Sequence, residues 1–340
     1  MVTNHEDIYD ITVLGGGPTG LFTSFYAGMR QMRVKLIESL PQLGGQLSTL
    51  YPEKKIYDVA GFPAIKAKDL VANLTTQALQ FSPKIVLGQT ISQLNRLNDG
   101  VLALMTDEGV QHLTRTLIIT AGVGAFSPRP LKVSHADHYS QTNLHYFIND
   151  LQQFSGRRVV ILGGGDSAVD WANTLASIAS HVSIVHRREA FRALESSVEQ
   201  LKQSAVSIYT PYTAKAIVGD GTMIEKLVIE EVKGTREQTL ALDDLIVNYG
   251  FVSAIGPIKD WGLTLEKNAI QVNSKMETNL PGIYAAGDIA VYPGKVKLIA
   301  TGFGEAPTAV NNAIHYLNPN ARTQPVHSSS AGDLFYDKKA

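Results

Sequence analysis

Two glycine-rich segments of this chain have the spacing of a phosphate-binding turn. The first is ITVLGGGPTG at Ile11–Gly20, and the second is VVILGGGDSA at Val159–Ala168. In such a turn one glycine permits the sharp bend, the next lets the main chain approach a pyrophosphate, and the third lets the helix pack on its strand. The start of the helix offers free N–H groups and a partial positive charge to the phosphates. The predicted dinucleotide-binding positions are Gly15, Gly17, Gly20, Gly163 and Gly165.

The two segments differ in the charge that follows the second apolar strand. The first copy has Glu38 there, and the second has His186, followed by Arg187, Arg188 and Arg192. A carboxylate at this place accepts hydrogen bonds from a ribose, whereas a group of cations suits the 2′-phosphate of NADP(H). The alternative interpretation of the basic run is a solvated surface at the end of a strand. Because the two copies align without a gap, we favour two different dinucleotides, which indicates electron transfer.

A further group of residues suits a flavin. Asp288 ends the stretch AAGD after an apolar strand, where its carboxylate can accept a hydrogen bond from a polyol hydroxyl. Gln46 and Tyr51 fall in the loop after Glu38, where the amide can bond the flavin and the phenol ring can stack on it. A turn aspartate and ordinary loop residues are the alternatives at these positions.

The segment GFGEAPTA at 302–309 is predicted to be a glycine-rich entry into a helix that begins near Ala306. Pro307 would then occupy the first turn, where its missing N–H matters least. A helix start directed at the pyrimidine end of a flavin would stabilise the reduced ring by its dipole and its N–H groups. An ordinary structural helix start is the alternative.

The elements around both glycine turns are those of a parallel sheet. Each turn follows a short β-branched strand and precedes a helix and a second apolar strand, which is the βαβ pattern. The apolar residues with helical spacing are Leu21, Phe22, Phe25, Tyr26 and Met29 in the first copy, and Val169, Ala172, Leu175, Ala176 and Ile178 in the second. We therefore predict an α/β fold with two Rossmann-like nucleotide-binding domains.

Two glycine-rich crossings, at 121–124 and 248–251, divide the chain. They predict that the second domain, residues 122–249, is inserted into the first, which comprises residues 1–121 and 250–340. The tail at 319–340 is rich in Ser, Thr and Pro and has no periodicity, so we expect it to be extended.

Composition excludes several classes of protein. With 340 residues, 44% hydrophobic and 18% charged, the chain has enough apolar material for globular cores. A net charge of −1 argues against a nucleic-acid or membrane-surface protein. No segment approaches the roughly 18 apolar residues of a membrane span, and acids stand where a signal peptide has bases, so a cytosolic location is expected. The chain has no cysteine, which excludes disulfides, thiolate metal sites and dithiol relays, and we predict no metal.

Six stretches carry a family resemblance. They are LYPEKKIYDVAGFP at 50–63, LHYFINDL at 144–151, GGGDSAVDWA at 163–172, HRREAFRA at 186–193, YAAGDI at 284–289 and GFGEAPTAVNNA at 302–313. Over essentially its whole length the chain resembles the thioredoxin-reductase-like class (type 2) of ferredoxin–NADP reductases, in the class-II pyridine nucleotide-disulfide oxidoreductase superfamily. It is similar more loosely to thioredoxin reductase, whose redox CxxC precedes the second glycine turn. The corresponding stretch, around 143–148, contains no cysteine.

The resemblance implies FAD in the discontinuous domain, NADP(H) in the inserted domain, and a homodimer. The implied FAD contacts are Thr19, Glu38, Gln46, Tyr51, Ile91, Phe126 and Asp288. The implied NADP(H) contacts are Gly165, Ser167, His186, Arg187, Arg188 and Arg192. Tyr51 is expected to stack on the isoalloxazine. The C-terminal extension is expected to cross to the other subunit, with His327 against the other face of the ring and Ser329 near the cofactor.

The implied reaction has two stages, a hydride transfer from NADPH to flavin N5 and then single-electron transfer to ferredoxin or flavodoxin. The flavin carries the chemistry, so no catalytic residue is assigned. Lysines that would form a basic rim for an acidic carrier are Lys54, Lys55, Lys66, Lys68, Lys132, Lys295 and Lys297. Two alternatives stay open: an NADPH-dependent flavoenzyme that reduces a ferric complex, a quinone or an external disulfide, and a non-catalytic flavin-binding sensor.

Overall fold

The structure is a computed structural model that describes residues 8–140, 142–148, 150–322 and 324, without the side chains of residues 125–127 and 252–253. Its strands are β1 Ile8–Leu14, β2 Val34–Glu38, β3 Lys55–Ile56, β4 Ile65–Lys66, β5 Lys84–Leu87, β6 Ile91–Arg96, β7 Leu102–Thr106, β8 Gln111–Ile119, β9 Ala125–Pro128, β10 Leu144–His145, β11 Arg158–Leu162, β12 His181–Val185, β13 Ser207–Tyr209, β14 Tyr212–Gly219, β15 Ile224–Glu231, β16 Glu237–Ala241, β17 Asp244–Val247, β18 Phe251–Ala254, β19 Leu265–Glu266, β20 Ala269–Gln271, β21 Ile283–Ala285 and β22 Ala290–Val291. Its helices are α1 Pro18–Met29, α2 Gln46–Leu50, α3 Ala67–Leu79, α4 Asp166–Leu175, α5 Glu195–Gln203 and α6 Ile299–Leu317.

The chain forms two compact units. The first contains the described residues up to Ala125 and those from Ser253 onward, and the second contains Phe126–Val252. The second unit is therefore inserted into the first, and the predicted fold class is confirmed. The borders of the units lie within a few residues of the predicted crossings.

The first unit is built on a sheet in the order β5-β2-β1-β8, with β21 parallel to the end of β8. Its antiparallel continuation is β7 and β6. One face of the sheet, represented by Ile11 and Leu36, packs on α1, α3 and α6. The other face, represented by Leu14 and Ile37, packs on a cluster that contains Trp261. The central parallel strands β1, β2, β8 and β21 are largely buried on both faces, as is usual for parallel sheets.

The second unit has its own parallel sheet, in the order β10-β17-β11-β12-β13. Val159 and Ile161 face a core formed with α4 and α5. Val160 and Leu162, on alternate positions of the same strand, face the antiparallel sheet β14-β15-β16. Within the described ranges, no helix of either unit is long and apolar enough to cross a bilayer.

Two local predictions are wrong. The helix expected to begin near Ala306 begins at Ile299, and Pro307 lies in its interior. Glycines 302 and 304 do not end the helix because α6 packs apolar residues such as Ala309, Val310 and Ala313 into the core, and tertiary packing outweighs helix propensity. The loop predicted after Glu38 contains the short helix α2, which begins at Gln46.

Candidate functional site

The first glycine turn closes β1 onto its neighbours. The Gly15 N–H donates to the Ile37 carbonyl at 2.8 Å, and the φ angle of Gly15 is +111°. A Cβ added there would lie 2.6 Å from the Thr120 carbonyl oxygen. A Cβ added to Gly20 would lie 1.8 Å from the Gly15 carbonyl oxygen. Both positions therefore require glycine, one for the bend and one for the approach of α1 to β1.

Gly17 has open space where these two glycines have none. It is the N-cap of α1, no side chain caps the helix, and Pro18 occupies the first position. A Cβ built on Gly17 would meet no atom of the described residues within 4 Å. The start of α1 is therefore without a side-chain cap among the described residues, and a helix N-terminus in that state favours an anion such as a pyrophosphate. The described residues of this turn therefore fit a dinucleotide.

Glu38 lies at the end of β2 and is only 6% exposed. One carboxylate oxygen accepts the Gly16 N–H at 2.6 Å, and the other accepts the Leu40 N–H at 2.9 Å and the Ser39 hydroxyl at 3.1 Å. A carboxylate has about four lone-pair positions, so one remains for a ligand hydroxyl. These hydrogen bonds hold the Glu38 carboxylate beside the glycine turn, where recognition of a ribose requires it.

The segment before α2 covers the same turn. The Gly44 N–H donates to the Gly16 carbonyl at 2.8 Å, and a Cβ on Gly45 would lie 3.2 Å from the Cα of Gly17. Sequence reasoning assigned no role to these two glycines, although the doublet before Gln46 was a visible signal. The Gln46 amide nitrogen lies 3.4 Å from the position of a Cβ on Gly122, at the end of the crossing that follows β8.

Tyr51 and Asp288 lie near each other. Burial raises the pKa of the Tyr51 hydroxyl, and the carboxylates of Asp288 and Asp58 raise it further. Asp288 is in a single helical turn, Gly287–Ile289, that follows β21. The tertiary structure thus brings together two residues that the sequence assigned to the flavin from separate segments.

The other predicted flavin contacts have different surroundings. Thr19 lies where α1 meets the Gly287 turn and α6. Ile91 is 4% exposed in the core of the first unit, and Ala306 is fully buried inside α6, so the side chains of both make core contacts. The residues whose side chains lie outside the described part of the structure are Phe126, His327 and Ser329.

The second glycine turn repeats the frame of the first. The Gly163 N–H donates to the Val185 carbonyl at 3.0 Å, and a Cβ on Gly163 would lie 2.5 Å from the Asn248 carbonyl oxygen. Gly165 is the N-cap of α4, which no side chain caps. A Cβ on Gly165 would meet only the Arg192 carbonyl oxygen, at 3.8 Å. This turn also leaves an open approach to a helix N-terminus.

The segment after β12 returns to this turn. The Arg192 N–H donates to the Gly164 carbonyl at 2.7 Å, and the Leu194 N–H donates to Asp166 Oδ1 at 3.0 Å. These bonds hold the main chain of Arg192 beside Gly165. The exposed side chains of the predicted NADP(H) site are Ser167, Arg187, Arg188 and Arg192. Their exposure leaves the three guanidinium groups accessible to an anionic ligand.

His186 is at the site but is not one of its cations. Its ring stacks on Phe191 at 5.5 Å between centroids, and a Cβ on Gly164 would lie 2.3 Å from the ring. Burial lowers the pKa of His186, and the charges of the nearby arginines lower it further. A pKa lowered from its ordinary value favours the neutral ring near pH 7, so the fixed positive charge of this site comes from the three arginines. Ring atom Nε2 is buried with no hydrogen-bond partner among the described residues.

Lys295 is also misplaced by the sequence. It was expected on a basic rim, but its side chain is only 4% exposed and pairs with Glu305. The pattern of charges along the sequence gave no sign of this, because Glu305 comes from α6 and its partner from the segment before it. Lys66 and Lys68, from the same predicted rim, both pair with Glu53.

Comparisons with known proteins agree with this arrangement. The sequence profile described as pyridine nucleotide-disulphide oxidoreductase matches residues 9–313. Ferredoxin–NADP reductase 2 of Bacillus subtilis (strain 168) is 61% identical over 331 residues, which cover 97% of this chain and 98% of that one. Ferredoxin–NADP reductase 2 of Shouchella clausii (strain KSM-K16) is 59% identical over 325 residues, which cover 96% of this chain and 98% of that one.

Solved structures are similar in fold. Thioredoxin reductase of Lactococcus lactis (FR conformation) matches with a TM-score of 0.75 at 24% identity, over 91% of this chain and 99% of that one. Thioredoxin reductase of T. acidophilum matches with a TM-score of 0.76 at 22% identity, over 93% of this chain and 100% of that one. At these identities the likeness concerns the fold alone. From the profile match and the identity of about 60% over nearly the whole length, the chain belongs to the pyridine nucleotide-disulphide oxidoreductase family and, within it, to the ferredoxin–NADP reductases, which are oxidoreductases.

Proposed function

We propose that this enzyme exchanges electrons between NADP(H) and a ferredoxin or flavodoxin. FAD and NADP(H) are its cofactors, with FAD assigned to the first unit and NADP(H) to the second. One observation carries the assignment: the same glycine turn occurs twice, with Glu38 in one copy and arginines 187, 188 and 192 in the other. When bound, the cofactors supply the redox chemistry, two electrons exchanged with NADP(H) and single electrons with the carrier.

The residues of the first unit bind and orient. The N–H groups at the start of α1 hold the pyrophosphate, and the remaining acceptor position of Glu38 takes a ribose hydroxyl. Asp288 accepts a polyol hydroxyl, and the Tyr51 ring stacks on the isoalloxazine. The raised pKa of Tyr51 keeps its phenol neutral throughout the physiological range, so the ring presents an uncharged face.

The residues of the second unit select the nicotinamide cofactor. The N–H groups at the start of α4 hold its pyrophosphate. Arg187, Arg188 and Arg192 bind the 2′-phosphate, because guanidinium groups form paired hydrogen bonds with phosphate oxygens. His186 supports this loop as a neutral ring stacked on Phe191. The preference for NADPH over NADH therefore depends on the arginines.

An acidic carrier would contact basic side chains of the surface. The predicted lysines other than Lys295 are Lys54, Lys55, Lys66, Lys68 and Lys297 in the first unit, and Lys132 in the second. Because electrostatic steering weakens with ionic strength, reduction of ferredoxin should slow steeply as salt is raised. Reduction of a small uncharged quinone serves as the control and should respond little.

The deciding experiment is anaerobic. The purified holoenzyme is mixed with NADPH while the visible absorbance of its FAD is followed, and oxidised ferredoxin is then added. Loss of the absorbance and its rapid recovery with ferredoxin support the proposal. Loss without recovery would favour another acceptor, such as a ferric complex, a quinone or an external disulfide. No loss at all would contradict the assignment and favour a flavin-binding sensor.

We further propose that the enzyme is a cytosolic homodimer in which the extension at 319–340 of one subunit completes the flavin site of the other. The family resemblance over essentially the whole chain supports this, because it implies a C-terminal extension that carries His327 and Ser329 to the partner subunit. Light scattering should give twice the mass of the chain. His327→Ala should alter the visible spectrum of the bound FAD and leave NADPH affinity unchanged, whereas an unchanged spectrum would contradict the role of the extension.

A further inference from the structure

A buried network surrounds Glu305, in the middle of α6. Its Oε2 accepts the main-chain N–H of Gly287 at 2.7 Å, and its Oε1 accepts the Tyr292 hydroxyl at 2.7 Å. The Lys295 ammonium group pairs with the same Oε1. The side chains of Lys295 and Glu305 are 4% and 5% exposed. Two opposite charges are therefore removed from water beside the turn that carries Asp288.

Stability alone gives a poor explanation of this pair. Burying two charges costs desolvation that their attraction often only offsets, and apolar residues of similar volume are frequently as good or better. What an apolar residue at position 305 cannot supply is an acceptor for the Gly287 N–H. Among the described residues, the acceptor of that N–H is Glu305 Oε2. The network therefore serves the geometry of the turn.

The turn itself is held closely from two helices. Gly287 has a φ of +77°, and a Cβ there would lie 2.9 Å from Thr19 Oγ1 of α1. On α6, a Cβ added to Gly302 would lie 2.2 Å from the same hydroxyl oxygen and 3.4 Å from the Gly287 Cα. Gly302 and Glu305 are three residues apart and share one face of the helix. Gly302 thus permits the close approach, and Glu305 makes the bond.

The Tyr292 hydroxyl is a hydrogen-bond donor to the Glu305 carboxylate at every working pH. Burial raises its pKa to about 12, and the hydrogen bond and negative charge of Glu305 contribute to the rise. The phenol therefore stays protonated at any working pH. With the ammonium group of Lys295 on the same oxygen, the other oxygen of Glu305 remains directed at Gly287.

We propose that Glu305 is a positioning residue for FAD, which holds the Gly287 main chain so that Asp288 meets the flavin polyol, with Lys295 and Tyr292 fixing the carboxylate. The inference rests on the proposed function, because it takes Asp288 as a flavin-binding residue. It assigns to this network the affinity for FAD and leaves the affinity for NADP(H) to the second unit.

A matched pair of double variants tests this role. Lys295→Met with Glu305→Gln and Lys295→Met with Glu305→Met both remove the two charges and fill similar volumes. Only glutamine keeps an acceptor for the Gly287 N–H, while its NH₂ group faces the Tyr292 hydroxyl, which can accept. Apoprotein of each is titrated with FAD, followed by quenching of flavin fluorescence, and with NADPH by calorimetry. We expect the methionine variant to bind FAD about tenfold more weakly, and both to bind NADPH equally.

Equal FAD affinities in two variants with the same melting temperature would overturn the inference, as would a parallel loss of NADPH affinity. If the methionine variant does not fold, Tyr292→Phe replaces it, with a rise of a few-fold expected in the Kd for FAD and no change overturning the role. Wild-type apoprotein is titrated first. Failure of the wild type to bind FAD would overturn the proposed function itself, which distinguishes the two failures.

Discussion

The two glycine turns are the same main-chain structure with different side chains. In each, the first glycine N–H reaches the second strand, at 2.8 Å for Gly15 and 3.0 Å for Gly163. In each, that glycine lies against a carbonyl from the strand on the other side, of Thr120 in one unit and Asn248 in the other. Each leaves the N-cap glycine facing open space. The two turns therefore share one main-chain frame, and we propose that this frame holds the pyrophosphate of either dinucleotide.

The two turns differ at the third glycine position, where the helix packs on its strand, and in the side chains that follow the second strand. The third position is Gly20 in the first turn and Ala168, fully buried, in the second. After the second strand the first unit has a buried carboxylate that its own chain holds, whereas the second has exposed guanidinium groups. Under the proposed function, selectivity between the two cofactors depends on these few side chains.

The largest expected effect comes from exchanging the third position. Gly20→Ala would place a methyl group 1.8 Å from the Gly15 carbonyl oxygen, so α1 would have to move off the sheet. We expect loss of bound FAD and a cost of several kcal/mol in the free energy of unfolding. The reciprocal change, Ala168→Gly, should cost about 1 kcal/mol, the helix propensity of glycine. Chemical denaturation and the FAD content of the purified variants measure both. A stable, FAD-loaded Gly20→Ala protein would show that the two turns are interchangeable.

The next effect concerns Glu38. Glu38→Ala removes the acceptor of two main-chain N–H groups, Gly16 and Leu40, and the predicted ribose contact. We expect the Kd for FAD to rise about a hundredfold, with NADPH affinity unchanged. Ser39→Ala, which removes only the 3.1 Å contact to the same carboxylate, is the control and should change the Kd little. FAD titration of the apoproteins measures both, and an unchanged Kd for Glu38→Ala would remove the basis of the comparison.

The third effect concerns the arginines of the second unit. Arg187→Ala with Arg188→Ala should raise the KM for NADPH roughly 10- to 100-fold, because a charge-assisted hydrogen bond contributes about 1.5–3 kcal/mol and the exposure of both side chains reduces the contribution of each. The KM for NADH, which lacks the 2′-phosphate, should stay the same. Lys202→Ala removes an exposed positive charge from the same unit, at the end of α5, and is the control. An equal rise for both nucleotides would mean that the arginines do not recognise the phosphate.

The smallest expected effect concerns the pH dependence of stability, which should differ between the two units. In the first unit His112 Nε2 lies 2.7 Å from Gln89, and Nδ1 lies 3.4 Å from the Lys35 ammonium group. Burial, and then the charge of Lys35, lowers the pKa of His112 to about 4. Between about pH 6.5 and pH 4, the unfolded chain binds a proton at His112 and the folded protein does not. The free energy of unfolding should therefore fall as the pH drops through this range.

His112→Gln should reduce this loss by on the order of 1–2 kcal/mol, since glutamine does not titrate. Urea denaturation at a series of pH values measures it. In the second unit Asp243, beside Arg158, has a pKa lowered to about 2 and stays ionised across the same window, so its pair with Arg158 persists. Identical slopes for the variant and the wild type would contradict the assignment to His112.

Much of the site follows from local patterns. Gly15 and Gly163 each lie in a sharp bend of a few consecutive residues, and such a bend can be recognised in the sequence because it favours glycine. The position of Glu38 after its strand follows from the βαβ spacing, and the structure places its carboxylate on the glycine turn. Contacts at this range are within reach of sequence reasoning.

The wrong predictions share a cause. The start of α6 was placed near Ala306 because the glycines at 302 and 304 and the proline at 307 read as helix breakers. The structure uses Gly302 for contact with Thr19, a residue from the other end of the chain. Lys295 was expected at the surface as most lysines are, yet it is buried against Glu305. Each error concerns a partner that local sequence does not reveal.

By itself the sequence determined the two dinucleotide turns, the opposite charges that follow them, and the absence of any thiol chemistry, because residue type and short-range spacing encode these features. Only the tertiary structure decided which ionisable side chains are exposed, which are buried, and which groups they contact. It lowered the pKa of His186 by burial, removed the Lys295 side chain from the surface, and joined Glu305 to the turn of Asp288. Burial and hydrogen bonding depend on residues brought together by folding, and they set the charge and position of each group.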